Sequence, residues 1–499
     1  MKKARKTIEE LRLHATELTN LNNILALLHW DQEVMMPPGA TRDRASQFAT
    51  LSTIIHKMIT DPVLGNLLQQ AAEYSGHLAE KDKALVRILS REHARNTKLP
   101  EKFVAGFARL TAESLPAWVA ARKQADFKVF LPFLKKIASM SREKTDYLGY
   151  DEHPYDALLD LYEEGLTSRN LTEIFSSLQS ELTCLVQQKG VTPSAEEPAF
   201  PFPPIAEKDQ IAFSEKMLME IGYDFTRGRQ DVSSHPFTTT IAHNDRRVTN
   251  RYRPDSLEFI FCALHEGGHA LYEQGVDGDY AGTPLDEGVS LGIHESQSRL
   301  WENIIGRSRL FWNYYYPILQ QYVPDPFQDI EIDQFVRHIN RIQPGFIRVE
   351  ADEVSYNLHI IVRFELEKEL MAGNIQVDEL PPLWNEKYRN YLGLIVDSDA
   401  NGVLQDIHWA HGSFGYFPTY TIGNLAAAQI WQHYCLSDPD YRQTLQHGQL
   451  AKIRQWLTDK IYCHGAIYPP AELLQRVCGE PLSSCYFVDY LKNKAEFSP

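Results

Sequence analysis

Apolar residues in this chain recur at spacings of three, four and seven over most of its 499 residues, and that period is the strongest limit on what it can fold into. Leu11, Leu18, Leu21, Leu25 and Leu28 fall on one face of an opening helix. Ile332, Phe335, Val336, Ile339 and Ile342 do the same ahead of the Pro344-Gly345 break. The pattern predicts a mainly α protein. Strand signals are confined to 230–253, where β-branched and aromatic residues flank His243-Asn244-Asp245 and predict a small antiparallel β-ribbon. The five prolines between 191 and 206 predict an extended connection between a helical half of about 1–190 and a second half of about 207–499. We read the whole, 1–499, as a single domain.

Charge and cysteine usage narrow the class. Acidic residues outnumber basic ones 66 to 50, a formal net charge of −16, which excludes a nucleic-acid binder that needs clustered Lys and Arg. No run of 18 apolar residues is present, so no membrane span is expected. The basic start at Lys2, Lys3, Arg5 and Lys6 is followed by TIEELRLHATEL, which is too charged for a signal peptide. Cys184, Cys262, Cys435, Cys463, Cys478 and Cys485 form no CxxC pair and fit reduced thiols. The expectation is a cytoplasmic protein.

The chemistry is announced at His265-Glu266-Gly267-Gly268-His269. Histidines at i and i+4 share one helix face, so both imidazoles can reach one ion, and the glutamate after the first can act as general base on an attacking water. Asp255 and Glu258 resemble a capping box, Gly275 is a natural stop, and Leu257, Phe261, Leu264 and Leu271 supply an apolar side. Two glycines inside a helix cost it about 1 kcal/mol each relative to Ala, which points to another backbone or the substrate passing close by. Catalytic zinc takes three protein ligands and keeps one position open. Glu295 in His294-Glu295-Ser296-Gln297 is the favoured third ligand on spacing, with His294, Asp286 and Glu287 as alternatives.

Beyond these residues, six motifs occur in an order that resembles the carboxypeptidase Taq family of metallocarboxypeptidases. They are His235-Pro236-Phe237, Asp245–Thr249 (DRRVT), HEGGH at 265–269, HESQ at 294–297, IRVEAD at 347–352 and GVLQDIHW at 402–409. Flanking stretches such as 30–40, 155–167 and 412–423 extend the likeness over nearly the whole chain. The resemblance implies a large helical body in two halves around a deep active-site groove, with a small antiparallel β-sheet beside the HExxH helix. It implies a homodimer that removes C-terminal residues from peptides with a free C-terminus, with broad specificity but sparing proline, using zinc or cobalt. It further implies that His265, His269 and Glu295 are the metal ligands and Glu266 the base. Arg348 would bind the substrate's terminal carboxylate, with His408 and Tyr420 flanking the scissile carbonyl and the C-terminal residue.

The residue types suit those roles. Arginine's planar fork can take both oxygens of a carboxylate, although Arg348 at the start of a helix could equally pair with Asp352 four residues on. His408 and Tyr420 can each donate a hydrogen bond to a developing oxyanion. His235 and Asp245 are expected only to hold the ribbon in place. Two rivals remain: an HExxH oligopeptidase or dipeptidyl carboxypeptidase, and, more remotely, a non-catalytic helical protein with structural zinc.

Overall fold

The computed structural model describes residues 2–190 and 204–496. Helices carry most of them, from Lys2–Val34 at the start to Cys485–Glu496 at the end, as the apolar period requires. Most of the expected connection at 191–206 lies outside the described residues. The first predicted stripe is fully buried at Leu11 and Leu18, while Leu21, Leu25 and Leu28 are half-buried. In the second, Phe335 and Ile339 are buried on the helix Ile332–Ile339, and Ile342 is buried just past its end.

Two compact units are present, and they cut across the expected division at 191–206. One comprises 2–97, 204–334 and 430–480; the other comprises 98–190, 335–429 and 481–496. The reason is visible in the first unit. Helix Lys2–Val34 packs on helices Thr41–Ile59 and Pro62–Glu73 and also on a strand some 200 residues later in the chain. Its Trp30 is buried beneath the guanidinium groups of Arg247 and Arg229, 4.2 and 5.3 Å from the ring centre. An apolar stripe shows that a helix must be covered, not by which segment.

That unit holds the only sheet among the described residues. Strands β1 (Gln230–Val232), β2 (Thr238–Ala242) and β3 (Asp245–Asn250) lie in the order β1-β3-β2. The hairpin about His243-Asn244 is present, with Thr238 opposite Val248, but β1 runs parallel to β3, so the sheet is mixed rather than antiparallel. The short link from β1 to β2 passes the end of β3, leaving β3 central, and its Arg246, Val248, Thr249 and Asn250 are buried. His235-Pro236-Phe237 lies in that link. Ser233 Oγ donates to the carbonyl of His235, and the Phe237 amide donates to Thr249 Oγ1. Asp245 is paired with Arg247 on the same strand.

The helix Glu258–Gln274 lies against β2 and β3 and carries the HEGGH segment. Its N-cap position is Leu257, which offers no capping side chain; Ser256 Oγ accepts from the Glu258 amide at 3.1 Å just ahead of it, and the capping box at Asp255 does not form. It stops at Gly275, whose Cβ would lie 2.6 Å from Tyr462 Cβ. Leu257, Phe261, Leu264 and Leu271 are all buried. The glycine pair is explained by close approach. A methyl on Gly268 would meet Gln297 O at 2.6 Å and Ser298 Cα at 2.7 Å, the backbone of the helix Leu291–Arg299. At Gly267 it would meet only the ends of the Ile221 and Leu218 side chains, at 2.5 and 2.8 Å. Gly268→Ala should therefore cost about 1–3 kcal/mol through overpacking, more than Gly267→Ala, whose neighbours can rotate away. Thermal denaturation of the two metal-stripped variants checks this, and equal midpoints would refute the backbone contact as the cause.

The second unit is organised about the helix Ser355–Ala372, which packs against helices Ser168–Lys189 and Leu380–Leu392. Leu358, Ile360, Ile361, Val362, Phe364 and Leu366 cover it on every side, as befits a central helix. Its polar residues His359, Arg363 and Glu367 are fully buried with them.

Candidate active site

In the first unit, His265 and His269 point their Nε2 atoms at one carboxylate oxygen. Glu295 Oε2 lies 3.6 Å from His265 Nε2 and 3.4 Å from His269 Nε2. One ligand atom from each of the three residues falls within 4.8 Å of the others, the spacing of a shared ion. Asp286 and Glu287 stand outside that set. Asp286 instead accepts from Arg246 and His243, both at 2.8 Å. His294 is also no ligand, since both its ring nitrogens are engaged elsewhere: Nδ1 lies 2.6 Å from His269 Nδ1 and Nε2 lies 2.7 Å from Glu273 Oε1.

The surroundings orient the three groups. Ser290 caps the helix Leu291–Arg299, which brings Glu295 into position, and Arg299 Nε donates to Glu295 Oε1 at 2.7 Å. That leaves Oε2 as the oxygen facing the histidines. His265 Nδ1 lies 2.8 Å from Glu302 Oε2. Glu302 sits in a π-helical turn, Leu300–Ile305, of the kind often found at functional sites. Burial pushes the Glu302 carboxyl up, but Arg299 and His265 outweigh it and hold it down at about 2. Glu302 is thus an ionised acceptor placed to take a hydrogen bond from His265 Nδ1 and to turn Nε2 toward Glu295. The sequence contained the clue that Glu302 is seven residues, two helical turns, after Glu295; the π turn itself has no signal there.

Glu266 is not part of the ligand set. Its Oε2 lies 2.7 Å from Thr238 Oγ1 on β2, and burial raises its pKa above the ordinary carboxylate value. A buried carboxylate of raised basicity beside three convergent ligand atoms is equipped to take a proton from water.

In the second unit, Arg348 is buried, and it does not pair with Asp352. The chain at Arg348–Glu350 makes a single 3-10 turn and then extends at Ala351, so the four-residue helical spacing never forms. Asp352 instead caps the next helix, accepting from the Val354 and Ser355 amides. Arg348 Nε and Nη2 donate to Asp406 Oδ1 at 3.0 and 2.8 Å, and Nη1 donates to Tyr356 Oη at 3.0 Å. Arg363 donates to the other oxygen, Oδ2, at 2.6 Å. Two guanidinium groups therefore share one buried carboxylate, and the cluster carries an excess positive charge. His408 Nε2 lies 3.3 Å from Tyr420 Oη, and the Tyr420 ring centre is 4.9 Å from the Arg348 guanidinium. Burial, reinforced by the two arginines against Asp406, lowers the His408 pKa to about 4 and keeps it neutral. Arg348, His408 and Tyr420 are thus neighbours, and Asp406 and Arg363 are the members that pattern reading missed.

A helical scaffold that presents two histidines and a glutamate about one point, with a second glutamate at its side, defines a metallopeptidase. Residues 10–495 match the family of the carboxypeptidase Taq (M32) metallopeptidases. The chain is 41% identical to carboxypeptidase 1 of Bacillus subtilis (strain 168), over 96% of this chain and 95% of that one. The structure of an M32 carboxypeptidase from Deinococcus radiodurans R1 superposes with a TM-score of 0.95 at 36% identity, covering 99% of each chain. That of Pyrococcus furiosus carboxypeptidase, Apo-Mg, gives 0.93 at 38% identity, covering 98% of this chain and 99% of that one. The chain belongs to the carboxypeptidase Taq (M32) family and is a metal-dependent carboxypeptidase, a peptide hydrolase. The reading as a non-catalytic protein with structural zinc falls with it.

Proposed function

We propose that this enzyme is a zinc carboxypeptidase of broad specificity that spares C-terminal proline, with His265, His269 and Glu295 as ligands. The observation that carries the metal reading is the convergence of two imidazole nitrogens and one carboxylate oxygen within 4.8 Å. Such a set suits zinc, or cobalt as the second candidate, better than magnesium, which prefers oxygen donors and retained waters. The ion supplies Lewis acidity toward the scissile carbonyl and the attacking water. Glu266 takes a proton from that water and delivers it to the leaving amine nitrogen. By the family resemblance Arg348 holds the substrate's terminal carboxylate, whose two oxygens its planar fork can take. His408 and Tyr420 hydrogen-bond the carbonyl oxygen as charge develops on it.

Broad specificity and the homodimer rest on the family resemblance, as does the reading of 1–499 as one catalytic domain. A cytoplasmic location is supported by six free thiols. Among the described residues no helix is long and apolar enough to cross a membrane. Chelator treatment followed by metal addition tests the proposal. Hydrolysis should disappear and return with one zinc per chain, with cobalt substituting and magnesium failing. The loaded enzyme should elute at twice the chain mass in light scattering. Full restoration by magnesium would overturn the zinc assignment.

A further inference from the structure

His294 is held more tightly than a solvent-facing histidine needs to be. Its ring lies beside Tyr272, with centroids 5.4 Å apart, and a methyl on Gly288 would come within 2.5 Å of its Cδ2. One ring nitrogen touches a proposed ligand, His269, and the other touches Glu273. Glu273 is itself anchored: Oε1 accepts from the Gly288 amide at 3.0 Å, Oε2 from Thr240 Oγ1 at 3.1 Å, and Arg246 Nη1 stands 3.8 Å away. Apart from His269, the mechanism above uses none of these groups.

Only one arrangement of protons fits these contacts and a metal on His269. A nitrogen that binds a metal carries no proton, so His269 Nε2 must be bare and Nδ1 must hold the hydrogen. His269 Nδ1 then donates to His294 Nδ1, which must be bare in turn. His294 Nε2 carries the remaining proton and donates it to Glu273. We infer that His294 is a positioning residue that links the buried Glu273 carboxylate to His269 and holds that ring in its metal-binding orientation. The two ligand histidines are thus steadied differently, His265 by a carboxylate directly and His269 through a second imidazole. The inference rests on the ligand assignment proposed above.

The test measures zinc affinity of metal-stripped protein by competition with a chromophoric chelator. His294→Phe keeps a ring between Tyr272 and Gly288 but offers no acceptor. His294→Gln keeps one acceptor and one donor at a similar reach. The Phe variant should lose about 10- to 100-fold in zinc affinity, the usual effect of losing an outer partner, and the Gln variant should recover most of it. His294→Asn, polar but too short to span both partners, is the second disconnected variant should Phe fail to fold, and is expected to behave as Phe does. Unchanged affinity in Phe or Asn, or equal losses in Gln and the disconnected variants, would overturn the inference. His269→Ala runs alongside. If the parent binds no zinc that His269→Ala loses, the ligand assignment has failed; if it does and the His294 variants match the parent, only the relay has failed.

Discussion

Glu266→Gln should bind zinc as the parent does and lose roughly 100- to 10,000-fold in kcat/KM, the range general-base catalysis supplies. The substitution is nearly isosteric, and the amide oxygen can still accept from Thr238 Oγ1, so the side chain stays where it is. What disappears is the ability to hold a proton between the attack of water and departure of the amine. Metal content should not suffer, because Glu266 lies outside the His265, His269 and Glu295 set. Replacing a buried anion near Glu295 and Glu302 with a neutral group also relieves repulsion, so folding stability should hold or rise slightly. Steady-state hydrolysis of a blocked tripeptide, with zinc measured on the same samples, reads both quantities. Activity within about tenfold of the parent, at full zinc occupancy, would remove Glu266 from the role of base, since that loss falls below the range such catalysis supplies.

The parts of this site that were legible in the sequence are those fixed by helical geometry. His265 and His269 are four residues apart, and the Gly267-Gly268 pair announces close neighbours, which at Gly268 prove to be the backbone carrying Glu295. Where geometry depends on distant segments, pattern reading left alternatives. His294 and Glu295 are adjacent, and either could have been the ligand; a helix turns their side chains about 100° apart, so only one can face the ion. Arg348 was weighed against a partner four residues on, but its partner, Asp406, is 58 residues away, and the intervening chain does not continue as a helix. Arg363 had no distinguishing signal inside its apolar helix. The mixed sheet escaped for the same reason: a strand's composition does not state the direction of its neighbour. Cutting the chain at its prolines likewise missed the compact units, because breaks in helical pattern mark ends of elements and not the membership of a core.

Arg348→Met should abolish the preference for a free C-terminal carboxylate over the amide while leaving the protein folded. The charge balance about Asp406 makes the two halves of that expectation separable. In the parent, two buried guanidinium groups face one carboxylate, so removing Arg348 leaves Arg363 and Asp406 as a matched pair. Asp406→Asn does the opposite, stranding two cations with no counter-charge, and should cost about 3–5 kcal/mol of stability, the usual result of breaking a buried pair. The excess positive charge is what a terminal carboxylate would neutralise on binding, by a charge-assisted fork at one edge of the guanidinium. Losing one partner of such a buried, hydrogen-bonded pair costs about 2–5 kcal/mol, or roughly 30- to 4,000-fold in kcat/KM on the acid substrate. The amide substrate never gained that energy and should be affected far less, so the ratio of the two rates is the informative quantity. A dipeptidyl carboxypeptidase would show the same loss but release dipeptides, and an oligopeptidase would show little preference even before mutation, so the products of a blocked tripeptide distinguish both rivals. If the Arg348→Met enzyme, folded and loaded with zinc, still favours the acid as the parent does, then the carboxylate is recognised elsewhere and the surplus charge at Asp406 serves some other anion.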